Sequence, residues 1–147
     1  RKIKIKLEVD TNPPLKFQTQ SKTLLLPMTF SVRTMTVPNL YAGKMHALLF
    51  RSWKTRVKGR DWFDFEWYVK NNTPLNLEHL SQRMKESGNF DKDTLTKEEF
   101  AELLYTKIET LDVEQAINEV KGFVKDVRAF DFWSKEYFQL LASKVIL

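Results

Sequence analysis

The chain has 147 residues, 42% of them hydrophobic and 29% charged, enough for one domain with a real core and too apolar for a disordered segment. It has no cysteine, which excludes a disulfide framework and a cysteine-ligated zinc site and fits a reducing cytoplasm. No apolar run approaches membrane-spanning length, and the net charge of +5 points toward anionic partners such as nucleotides or nucleic acid.

The first element expected is a strand. Residues 2–10 alternate strictly, with Ile3, Ile5, Leu7 and Val9 on one face and Lys2, Lys4, Lys6, Glu8 and Asp10 on the other. That period of two reads as a half-buried strand, ended by Thr-Asn-Pro-Pro at 11–14. Further strands are expected around Lys16 to Gln20 and Met28 to Met35. Their connections are too short for helical crossovers, so the sheet should be mostly antiparallel. The chain opens with Arg1, inside this alternation, and the expectation is that it is the C-terminal portion of a longer protein.

After Pro38 the period becomes helical. Asn39 is the expected N-cap of a first helix through NLYAGKMHALLFR, and Lys58-Gly59 breaks the chain before a second, DWFDFEWYVK. Beyond Thr73 everything reads as helix. One helix covers Leu75 to Ser87. Another opens at the Thr96–Glu99 capping box and runs to about Leu111. A third is capped by Asp112 and runs to about Val127, and the last covers Phe132 to Val145. The fold class expected is therefore α+β: a short, mostly antiparallel β segment over about residues 2–35, then a helical bundle. A seam near Asn71 to Pro74 divides residues 1–70 from a helical region, 71–147, packed on them.

The candidate chemistry sits on the first two helices. Lys44 and Arg51 are seven apart, two turns along nearly one face, a spacing that suits an extended polyanion such as a triphosphate. Asp61 and Asp64 share a face of the second helix, and antiparallel helices would bring Arg51 to the Asp61 end. Arg60 adds a cation there, while Lys54, Arg56 and Lys58 form a basic loop able to follow nucleic-acid phosphates. Solvated surface charge is the ordinary reading of all of these. Among the crowded aromatics most must be core, with Trp62 the candidate for base stacking. Asp10, at a strand end, is the one candidate metal ligand. A calcium loop over Asp91, Asp93 and Glu102 is rejected, because Leu95 and Thr96 stand where a ligand and the glycine belong. His46 and His79 lack metal-ligand spacing.

Taken together, the strand KIKLEVDTNPP, the strand MTFSVRTM, the run NLYAGKMHALLFR and the run KGRDWFDFEWYV resemble the AbiEii/AbiGii abortive-infection toxins. These are nucleotidyltransferase-like proteins of the DNA polymerase β superfamily. The family's lysine–arginine helix falls on Ala42, Lys44, Ala47, Leu48 and Arg51, and its K-x-R-D-x-x-D segment on Lys58, Arg60, Asp61 and Asp64. The resemblance covers about residues 1–70 and implies a nucleotidyltransferase-like fold. It also implies that Lys44 and Asp61 are needed for activity, with Asp64 in reserve. Lys44, Arg51 and Arg60 would face the nucleotide, and the complete enzyme would use magnesium and an NTP, with RNA as acceptor and a cognate antitoxin. The family's Gly-Ser and Asp-x-Asp motifs have no counterpart between Arg1 and Leu147. The alternative is a non-catalytic basic helical module binding nucleic acid or a protein.

Overall fold

The computed structural model describes residues 3–51 and 57–147. Two strands, β1 (Thr19–Leu24) and β2 (Phe30–Met35), form an antiparallel hairpin in which Thr19 faces Met35 and Leu24 faces Phe30. Six helices follow: α1 (Val37–Phe50), α2 (Gly59–Lys70), α3 (Leu77–Glu86), α4 (Lys97–Glu109), α5 (Val113–Val120) and α6 (Lys135–Ala142). Two short 3₁₀ turns, Lys121–Phe123 and Val127–Phe130, link α5 to α6. The fold is α+β, an antiparallel hairpin followed by helices, as the sequence predicts.

The expected first strand does not form. Residues 3–10 have no ladder partner among the described residues, and Ile3, Ile5, Leu7 and Val9 are 89%, 88%, 87% and 77% exposed. A period of two becomes a strand only where an edge pairs with it and an apolar face covers it; the described residues supply neither. The second strand is shifted along the chain to β1, and the third begins at Phe30. Lys16, at φ 63°, turns the chain out of extended geometry just before β1.

Helix α1 starts earlier than predicted. Thr36 is its N-cap, and Pro38 occupies the first turn, where a missing N–H costs nothing. Asn39, the expected cap, lies inside that turn and is buried. It donates to the Thr36 hydroxyl (2.6 Å) and the Gln18 carbonyl (2.8 Å), and accepts from the Asn76 amide (2.6 Å). This polar node ties the entry to β1 onto α1 and α3.

The later caps fall where predicted. Thr96 and Glu99 close a reciprocal capping box, and the Asp112 carboxylate accepts from the Gln115 N–H at 2.9 Å. Helix α5 stops at Val120, not near 127, because the chain tightens into a 3₁₀ turn there; α6 is likewise shorter than 132–145. One core joins helices from both sides of residue 71, through side chains such as Tyr41, Phe65, Leu80, Leu104 and Phe138. Each such side chain contributes roughly 1.5–3 kcal/mol by leaving water. Gly59 decides how α2 meets α5. A Cβ there would lie 2.0 Å from the Ala116 carbonyl oxygen, so only glycine allows the first turn of α2 to rest on the α5 backbone.

Candidate functional site

Helix α1 and the residue after it present two cations, and α2 meets each with a carboxylate. Lys44 Nζ lies 2.6 Å from Asp64 Oδ2. Arg51 Nη1 donates to Asp61 Oδ2 at 3.1 Å and Oδ1 at 3.4 Å. The antiparallel arrangement predicted from the sequence holds, with the Arg51 end at Asp61 and Lys44 farther along. The structure adds the partner of Lys44, which is Asp64, while Asp61 belongs to Arg51.

Local sequence explains the geometry. Asp61 falls in the first turn of α2, where the helix dipole favours an anion. Tyr41, one turn before Lys44, stacks on Tyr68, one turn after Asp64, with centroids 4.4 Å apart and planes 12° apart. The Lys44–Asp64 pair thus rides on a rigid tyrosine stack that locks α1 to α2.

Asp61 is the buried member of the group, its side chain 6% exposed against 42% for Arg51. Burial raises its pKa, against the pull of Arg51 and Lys44. Tyr68 is also raised, first by burial and then by the Asp64 charge.

Between α2 and the end of α5 opens a cleft of about 650 Å³. Five cations line it, Lys44, Arg51, Lys58, Arg60 and Lys125, against the carboxylates of Asp61 and Asp64. Glu119 sits at its edge, 3.5 Å from Lys58 Nζ and accepting from the Arg60 N–H at 3.3 Å. The Arg60 guanidinium lies over the Phe123 ring at 5.3 Å, and Phe123 is 73% exposed. Phe123 and Lys125 escaped the sequence reading. Their only signal is an apolar residue in a Lys-Gly-Phe-Val-Lys run, which resembles any loop. The aromatic expected to stack a base, Trp62, is instead core, edge-on to Phe65 and Phe138.

The remaining candidates lie apart. Lys54 and Arg56 fall outside the described residues. Asp10, with no strand to end, is exposed and accepts from the Asn12 N–H at 3.0 Å in a local turn. His46 approaches Asn89 (3.2 Å), and His79 is wholly buried with Nδ1 2.7 Å from the Leu15 carbonyl. Asp93 is engaged by Lys85, and Thr96 and Glu99 by each other, so that loop is a helix start. Among the described residues no three histidine or carboxylate side chains are grouped to hold a metal, and no helix is long and apolar enough to cross a membrane. Asp61 and Asp64 each face a cation, and the resemblance places magnesium on the Asp-x-Asp motif, not on these two side chains.

The family model described as nucleotidyl transferase AbiEii toxin, type IV TA system, matches residues 1–136. The chain belongs to the AbiEii family. No curated protein and no solved structure matched it. The AbiEii match runs well past the first 70 residues, where the resemblance was legible, and takes in α5 with Phe123 and Lys125. Both walls of the cationic cleft are therefore AbiEii sequence.

Proposed function

We propose that this AbiEii chain holds the triphosphate of an NTP in the cleft between α2 and the end of α5, and takes part in nucleotide transfer to an RNA acceptor. The observation that carries the reading is the convergence of Lys44, Arg51, Lys58, Arg60 and Lys125 on one cleft. Phosphoryl transfer asks the protein mainly for positioning and charge stabilisation. Attack by an acceptor hydroxyl on the α-phosphorus breaks the bond to pyrophosphate. Lys44 and Arg51 meet the charge that gathers on that leaving group. Asp64 and Asp61 aim these two cations, and Phe123 offers a face for the base. Magnesium, which the resemblance implies for the complete enzyme, would supply further charge stabilisation at the phosphates. Activity of this kind belongs in the cytoplasm, and membership of a type IV toxin–antitoxin family supports a cognate antitoxin as partner.

One observation favours a second reading, a non-catalytic basic module that binds nucleic acid or a protein: both carboxylates are already ion-paired. Labelled NTPs, magnesium and total RNA, offered to the full-length gene product, separate the two. We expect label on RNA from the wild type, and a fall of about 10²–10³-fold in Lys44→Ala and Asp61→Ala, the scale of losing one charge-stabilising group. Label that ignores both substitutions in folded protein, or no label with any NTP, would leave only the binding module.

A further inference from the structure

A neighbouring face of α1 borders a second cleft, of about 350 Å³, between α1 and α3. Arg51, Arg83, His46 and Asn89 line it, and no carboxylate does among the described residues. Arg83 is half-buried, and its Nε is fully buried with no hydrogen-bond acceptor among the described residues. No described acid lies within ion-pairing distance of it. Glu86, one turn on, accepts instead from the Gln82 amide at 2.7 Å. Gly43 packs beside the guanidinium, where a Cβ would make an ordinary contact, 3.9 Å from Arg83 Cζ.

A guanidinium taken partly out of water without an anion is unfavourable, and a helix C-terminal dipole does not satisfy its Nε. The planar fork of arginine suits phosphate, donating to two of its oxygens at once. Asn89, whose side chain meets His46 at 3.2 Å, and Arg51, paired with Asp61, line the same cleft. Neutral His46 lines the floor, its pKa lowered mainly by burial. We infer that the α1–α3 cleft is a second phosphate-binding site, anchored by Arg83, for the phosphate ester of a nucleotide or a nucleic-acid strand. The inference stands on Arg83 and its surroundings, and does not depend on nucleotide transfer.

Binding measurements test it without any activity. A labelled single-stranded RNA oligonucleotide and an NTP are titrated separately into wild type, Arg83→Gln, Arg83→Lys and Asn89→Asp, each at several salt concentrations. Arg83→Gln should weaken binding about tenfold and lower the magnitude of the salt slope by about one, as expected for one lost phosphate contact. Arg83→Lys should recover part of the affinity. Asn89→Asp, an exposed and near-isosteric change that leaves the packing of Arg83 alone, should weaken binding in the same direction. Loss confined to the oligonucleotide assigns the site to a strand phosphodiester; loss confined to the NTP assigns it to a nucleotide phosphate. Unchanged affinity and salt slope for both ligands in Arg83→Gln and Asn89→Asp would overturn the site.

Discussion

At Asp61 two forces oppose each other. Removal from water disfavours the carboxylate, while Arg51 and Lys44 favour it, and burial prevails. The folded pKa therefore lies above the ordinary value of 3.8. Between those two values the native state binds more protons than the unfolded chain. The stability this group contributes is thus full below pH 3.8 and declines as pH rises through the folded value. Asp61→Asn cannot titrate, so urea unfolding from acidic to neutral buffer should show the wild type losing stability relative to the variant. A parallel pH dependence in the two proteins would mean that the ion pair offsets burial, and a wild type gaining stability relative to the variant would mean that it outweighs burial. The same carboxylate was legible in the sequence through its place in an Arg-Asp segment opening a helix. Its approach to Arg51 followed from placing α1 and α2 antiparallel; the pairing of Lys44 with Asp64 was not legible, because it depends on how the two helices cross and spacing along one helix carries no such information.

Among the elements, α2 is held most tightly by a missing atom. Lys58-Gly59 reads in sequence as a break, yet Gly59 is the first residue of α2, required by the approach of the Ala116 carbonyl. Gly59→Ala removes a flexible residue, which alone would favour a helix. Here the close contact decides the sign. We expect a loss of about 3 kcal/mol or more in urea unfolding, at the upper end of overpacking costs, together with displacement of Arg60 and Phe123 at the cleft. Gly122→Ala, with open space around its Cβ position, is the control and should change stability little. The caps at Thr96 and Asp112 were readable because a cap is a contact over three residues. The strand over residues 3–10 was misread because alternation says what a segment could do with a partner, and supplies no partner.

At the scale of the whole molecule, the two ends of the helical region are joined at Glu66. Its buried carboxylate on α2 accepts from Trp133 Nε1 at 2.8 Å and from the Tyr137 hydroxyl at 2.7 Å, and it also pairs with Lys70. Every oxygen of the group is satisfied, which is what makes a buried acid tolerable. Glu66→Ala leaves the Trp133 N–H buried without an acceptor and detaches α6 from α2, so a loss of about 3 kcal/mol is expected in urea unfolding. Lys70→Ala, at the exposed end of the network, should cost about 1 kcal/mol or less. The α+β class and most helices were visible from period and caps, and the family from the first 70 residues. The wall contributed by α5 and Phe123 was not visible, because nothing local marks a loop that meets a helix some sixty positions away.

The cation pairs have a consequence in conformational entropy. Lys44 and Arg51 are long, flexible side chains, and immobilising either costs up to roughly 2 kcal/mol of rotamer freedom. Asp64 and Asp61 impose that order before any anion arrives. A phosphate entering the cleft meets charges already aimed, and little further freedom is lost when it binds. The carboxylates weaken the net attraction and sharpen its direction. They favour a ligand whose shape reaches both cations over one that offers only charge.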